Sequence, residues 1–135
     1  MNGKWIDTFL GIIPRNDYTV QLSAGEETGL VVTLKSETTS VTVFFGAVQA
    51  FQMLDEGVLL QGNDTAHFAA IRAENFPSTI YEIENGDFSR FIEGQMGHDL
   101  YSTLNFRQYT IVTLNYVISI ITQWEPEITV LTDGP

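Results

Sequence analysis

The 135-residue chain sets six Lys plus Arg against seventeen Asp plus Glu, a formal net charge of −11, and contains no Cys. That length suits a single domain, 1–135, that can bury a core without disulfides or a structural metal. The missing Cys excludes disulfides, thiolate metal sites and a cysteine nucleophile. So acidic a surface repels nucleic-acid phosphates and anionic lipid and attracts basic proteins, so a basic protein partner is expected, with no nucleic acid and no membrane.

The N-terminal MNGKWIDTFLGII has one Lys and a short apolar stretch broken by Asp7, with no A-x-A site after it. No signal peptide is expected, and the protein is read as soluble and cytoplasmic. YTVQLS (18–23) and GLVVTLKS (29–36), rich in β-branched residues, flank the polar AGEET and predict a hairpin. SVTVFF (40–45) is a third strand. Beyond it Gly46 breaks the pattern, and the spacing of Val48, Phe51 and Leu54 fits either a helix or a strand reset by a bulge at the glycine. The bent strand is the favoured reading, closed by a turn at DEG (55–57).

VLLQ (58–61) has the composition of a short strand. NDTAHFAAIRAE (63–74), with Asn63 or Asp64 as its N-cap, fits a short helix or ordered loop that ends before Pro77. In STIYEIE (78–84), Ile80, Glu82 and Glu84 alternate with Tyr81 and Ile83, which predicts a strand with one face buried. Asn85 is expected to cap a helix over about 85–97, with Asp87 at its positive end. Phe88, Phe91, Ile92 and Met96 form that helix's apolar stripe, and Gly97 stops it. Gly94 inside the helix costs about 1 kcal/mol relative to Ala.

After a polar connection holding His98 and Asp99, RQYTIVTL (107–114) and VISIIT (117–122) read as two strands around NY. The run 108–124 contains no charge, but its β-branched residues and scattered Thr, Ser and Asn favour strands over a membrane helix. Apolar residues on both faces suggest strands covered on both sides. EPE (125–127) interrupts, and ITVL makes a last edge strand. The expected fold is α+β: a mainly antiparallel β-sheet with one principal helix, about residues 85–97, packed on one face.

Chemistry is sparse. His67 and His98 lack metal-ligand spacing, and the His98–Asp99 pair reads as solvated loop residues rather than a general base. No G-x-S-x-G, P-loop or G-x-G-x-x-G occurs, so no catalytic, cofactor or metal residue is assigned and no tightly bound metal is expected. Carboxylate pairs (Asp55–Glu56, Glu82–Glu84, Glu125–Glu127) are too numerous to mark an acid/base dyad. The NDT at 63–65 matches a glycosylation sequon that carries no weight without secretion. Trp5, Tyr101, Tyr109, Tyr116 and Trp124 are candidates for interface or core.

Taken together, FQMLDEGVLL, YEIENGDFSRFIEGQMG and RQYTIVTLNYVISII resemble blocks of a group of small, acidic bacterial proteins. In size and acidity these are similar to immunity proteins of polymorphic-toxin and contact-dependent inhibition systems. The resemblance implies a non-enzymatic protein-binding module that neutralises a basic, nuclease-like toxin domain by occluding its active site. The surface proposed for that role is Asp55, Glu56, Glu82, Glu84, Asp87, Glu93 and Trp124. The alternatives are a small enzyme or ligand-binding β-rich domain with a cavity in the sheet, and an oligomer-forming protein with a free edge at 127–131.

Overall fold

The computed structural model describes residues 4–55 and 78–132. The expected turn beyond Asp55, the VLLQ strand, the 63–74 helix, the sequon, Glu56 and His67 lie outside the described residues. In chain order the strands are β1 (Lys4–Ile6), β2 (Thr19–Ser23), β3 (Leu30–Lys35), β4 (Thr39–Gly46), β5 (Ala50–Asp55) and β6 (Ile80–Glu84). Two helices follow, α1 (Asp87–Met96) and α2 (His98–Leu104), and then β7 (Arg107–Val112), β8 (Tyr116–Thr122) and β9 (Glu127–Thr132).

The strands form not one sheet but two, both antiparallel. One is five-stranded, in the order β1-β6-β7-β8-β5, and the other four-stranded, in the order β2-β3-β4-β9. The sheets face each other across one core. Val32, Leu34, Val41, Val43 and Phe45 come from the four-stranded sheet, and Ile80, Tyr109, Ile111, Ile118 and Ile120 from the other. The ring of Tyr109 sits 6.1 Å from Phe45 and 5.9 Å from Phe9, centroid to centroid. Phe9, Ile13 and Tyr18, on the irregular segment before β2, complete this core. Each such side chain contributes about 1.5–3 kcal/mol by leaving water.

Gly46 explains why the pattern breaks there. The register between β3 and β4 slips between Leu30 and Val31, where Leu30 faces Gly46 and Val31 faces Phe44, so β4 carries one extra residue. The chain then crosses at 47–49 into the other sheet as β5. The strand reading of 50–55 therefore holds over the helical one, but the strand belongs to the opposite layer.

The uncharged run became the β7–β8 hairpin. Its second face, away from the core, is also buried: Val112 and Val117 cluster with Trp5, Tyr81 and Ile83. Coverage on both faces is what the two-sided apolar pattern implies. β6 is likewise covered on both sides, not one, since Ile80, Tyr81 and Ile83 are all buried.

The helical region departs from expectation in three ways. The supposed polar connection is α2, separated from α1 only by Gly97, whose φ of +94° turns the chain. Asn85 is not the cap. It takes a left-handed conformation at φ 56°, and Gly86 is the N-cap, without a side-chain bond of its own. The capping acceptor comes from β7, where Gln108 Oε1 accepts from the Ser89 N–H at 3.1 Å and also from the Ser89 hydroxyl. A Cβ on Gly86 would fall 2.5 Å from that same Oε1, so the strand's amide occupies the space a capping side chain would need.

The apolar stripe of α1 is the third departure. Phe88 is buried at 9% exposure and Ile92 and Met96 are half-buried, but Phe91 is 60% exposed. The helix meets β7 through its first turn, which turns the Phe91 side away from the sheet. Phe88→Ala should therefore cost about 3 kcal/mol, whereas Phe91→Ala should change stability by less than about 0.5 kcal/mol. Urea unfolding of the two variants checks this, and equal losses would contradict the placement of α1.

Candidate functional site at the acidic end of the sandwich

Strand register assembles the site. Glu84 on β6 pairs with Lys4 on β1, Ile83 with Gln108 on β7, and Arg107 with Thr122 on β8, so these residues mark one end of the five-stranded sheet. Glu82 and Glu84 share a strand face, as expected from the alternation. The α1–α2 pair closes over this end. Between helices and strands lies a cleft of about 380 Å³, lined by Glu82, Glu84, Arg90, Glu93, Tyr101, Arg107 and Gln108, among others.

The carboxylates here are not bare. Glu82, whose side chain is 20% exposed, accepts from Arg107 Nη2 at 3.0 Å and Nε at 3.3 Å. Glu125, in the turn after β8, reaches the same guanidinium at 3.9 Å. Asp87 pairs with Arg90, one turn along α1, and Glu93 with His98 at the start of α2. The two Arg pairs, only partly exposed, are worth ~0–1 kcal/mol each, and all three can exchange their partner for an incoming cation.

These partners set the local titration. The hydrogen bond to Glu93 holds His98 above the ordinary imidazole pKa, with the carboxylate's charge adding to it. Arg107 is raised by its hydrogen bond to Glu82. Tyr101, edge-on to Phe106 at 5.5 Å, is raised by burial, against which Ser89 acts. Behind the cleft, burial pushes Tyr109 up to about 12 although the Arg107 guanidinium lies 5.6 Å from its ring.

A buried polar row runs from the cleft onto the sheet. Gln108 Nε2 donates to Thr110 Oγ1 at 3.2 Å, and the Thr110 and Ser119 hydroxyls lie 3.3 Å apart. Because every member has a partner, the row rigidifies the floor beneath α1.

Of the seven residues proposed from sequence, Glu82, Glu84 and Glu93 line the cleft, and Asp87 sits beside it on α1. Trp124, 57% exposed, lies at the same end, two residues beyond Thr122, whose hydroxyl accepts from its N–H at 3.3 Å. Asp55 does not join them. It pairs with Tyr116 at the opposite end of edge strand β5, with β7 and β8 between it and β6. Of the aromatic candidates, Trp5 and Tyr109 are core, and Tyr116 lies at the Asp55 end.

Sequence reasoning passed over Arg90 and Arg107, and it weighed Glu125 only as one of a pair. Nothing local signals that Arg107 faces a carboxylate 25 residues away. His98 is outside the cleft lining with its side chain 75% exposed, and among the described residues no three His, Asp or Glu gather as metal ligands. None of the described helices is long and apolar enough to cross a membrane. Compared with protein-family models, with curated proteins and with solved structures, the chain matches none.

Proposed function

We propose that the chain is a non-enzymatic binding domain for a basic protein, docking through the end of the sandwich that carries Glu82, Glu84, Glu93, Trp124 and Glu125. The observation behind this reading is that the β6–β7–β8 register, with α1 beside it, gathers these residues at one end, although more than forty positions of sequence separate the first from the last. Around an exposed Trp, exchangeable carboxylates suit a partner rich in Lys and Arg. Charge would govern the encounter, and the aromatic anchor would govern residence. In its specific form the reading is an immunity-type protein that covers the cationic, substrate-binding face of a toxin domain such as a nuclease. The acidity of the chain and its resemblance to small acidic bacterial proteins support that form.

The test identifies the protein cross-linked to this chain in its native cells and measures its binding at two ionic strengths. The partner should be basic. Glu84→Gln with Glu125→Gln should slow association several-fold at low salt, and the difference should close once the Debye length falls to about 3 Å near 1 M. Trp124→Ala should speed dissociation instead. An acidic partner, or an association rate indifferent to the double substitution at low salt, would overturn the reading.

A further inference from the structure

The same end of the sandwich holds a second recess of different character. The β2–β3 turn and the crossing from β4 to β5 line a groove of about 690 Å³. Leu30, Phe44, Val48 and Phe51 supply apolar surface, and the exposed Glu26 and Glu27 stand at its edge. Phe44 and Phe51 are 42% and 41% exposed, large rings left open to solvent. Among the described residues no Lys, Arg or His pairs with Glu26 or Glu27.

Two hydrogen bonds fix where this groove lies. The Thr122 hydroxyl donates to Ala47 C=O at 3.4 Å, and the Gln49 N–H donates to Ile121 C=O at 2.9 Å. Thr122 in turn stands opposite Arg107, which holds Glu82 and Glu125. The groove therefore opens at the end of β5 and β8, and the acidic cleft at the end of β7 and β6. At ~4.8 Å per strand the two are on the order of 15 Å apart. The turn carrying Trp124 leaves β8 between them.

The chemistry of the groove selects its occupant. Its volume falls within the ~300–1,000 Å³ of small-ligand and side-chain sites, but two carboxylates at the edge, which no described cation pairs with, repel fatty acids and other anionic amphiphiles. Open Phe rings accept both apolar side chains and, through their faces, ammonium or guanidinium groups. Gly29 packs directly on Gly46, which holds the groove's two walls together before anything binds. We propose that this groove seats a short cationic amphipathic peptide segment, with an apolar side chain against Phe44 and Phe51 and Lys or Arg beside Glu26 and Glu27. The proposal rests on the basic-partner reading for the origin of that segment and extends the docking surface from the cleft across Trp124 to the groove.

The test uses the full chain and a fluorescein-labelled Lys-Lys-Leu-Phe-Leu-Lys-Lys peptide, with Lys-Lys-Gly-Ser-Gly-Lys-Lys as the charge-matched control, followed by anisotropy. The amphipathic peptide should bind saturably and on the order of 10-fold tighter than the control. Phe51→Ser should remove most of that difference. Glu26→Gln with Glu27→Gln, both exposed and harmless to folding, should weaken binding several-fold at ~50 mM salt and much less at ~0.5 M. Equal binding of the two peptides, or binding unchanged by both Phe51→Ser and the Glu26/Glu27 pair, overturns the groove. Loss on Glu84→Gln with Glu125→Gln, while the groove variants bind normally, also overturns it and leaves the acidic-cleft reading standing. Loss on the groove variants alone supports the groove, and the cleft is then judged separately by the association kinetics of the natural partner.

Discussion

Gly29→Ala should lower stability by roughly 2–4 kcal/mol, combining the cost of a non-glycine residue at positive φ with that of overpacking. Gly29 sits at φ +70°, and a Cβ there would lie 2.2 Å from both the carbonyl carbon and the oxygen of Gly46. Neither obstacle is the end of a flexible side chain, so the strands must part for the methyl to fit. Gly25 in the same loop is the control: a Cβ there meets nothing within 4 Å, so Gly25→Ala should be near neutral or slightly stabilising, by at most ~1 kcal/mol. Urea midpoints at unchanged m-value measure both. A Gly29→Ala variant as stable as the parent would mean that β3 and β4 do not approach as described.

Gln108→Met should cost roughly 2–4 kcal/mol with little change in volume, because it strands several buried polar groups at once. Gln108 is 3% exposed and accepts from the Ser89 N–H and hydroxyl while donating to Thr110. Methionine fills the space but accepts neither bond well, and the first turn of α1 loses its only cap from outside the helix among the described residues. The distinctive readout is hydrogen exchange: the Ser89 amide should lose protection out of proportion to the β7–β8 core. Unchanged protection at Ser89 would show that the helix end is held by something other than this amide.

Much of the secondary structure was legible because a strand's existence depends on its own alternation and turn residues. The β2–β3 hairpin, β4, the β7–β8 hairpin and the last edge strand all appear within a residue or two of where those patterns place them. α1 was legible from its 3.6-residue stripe, but its facing was not. The stripe predicted Phe91 inward, whereas the helix is docked by its first turn through an amide on a strand 19 residues away. α2 was hidden because seven residues carry too little periodicity to be told from a polar connection.

By itself the sequence determined a β-rich, mainly antiparallel domain with a short helical insertion, a net charge of −11, and Glu82 and Glu84 on one strand face. Each of these follows from nearest-neighbour alternation or from composition. Only the tertiary structure decided that the strands divide between two sheets, β1 and β9 each joining strands distant in the chain, and that Asp55 lies far from the other carboxylates. It also decided that Glu82 already holds Arg107, 25 residues away. It further placed Trp124, the cleft and the acid-edged groove at one end of the sandwich. Sheet partnership and register are long-range choices, made by whichever pairing buries both faces at once, and no local spacing along the chain encodes that Glu82 will meet Arg107.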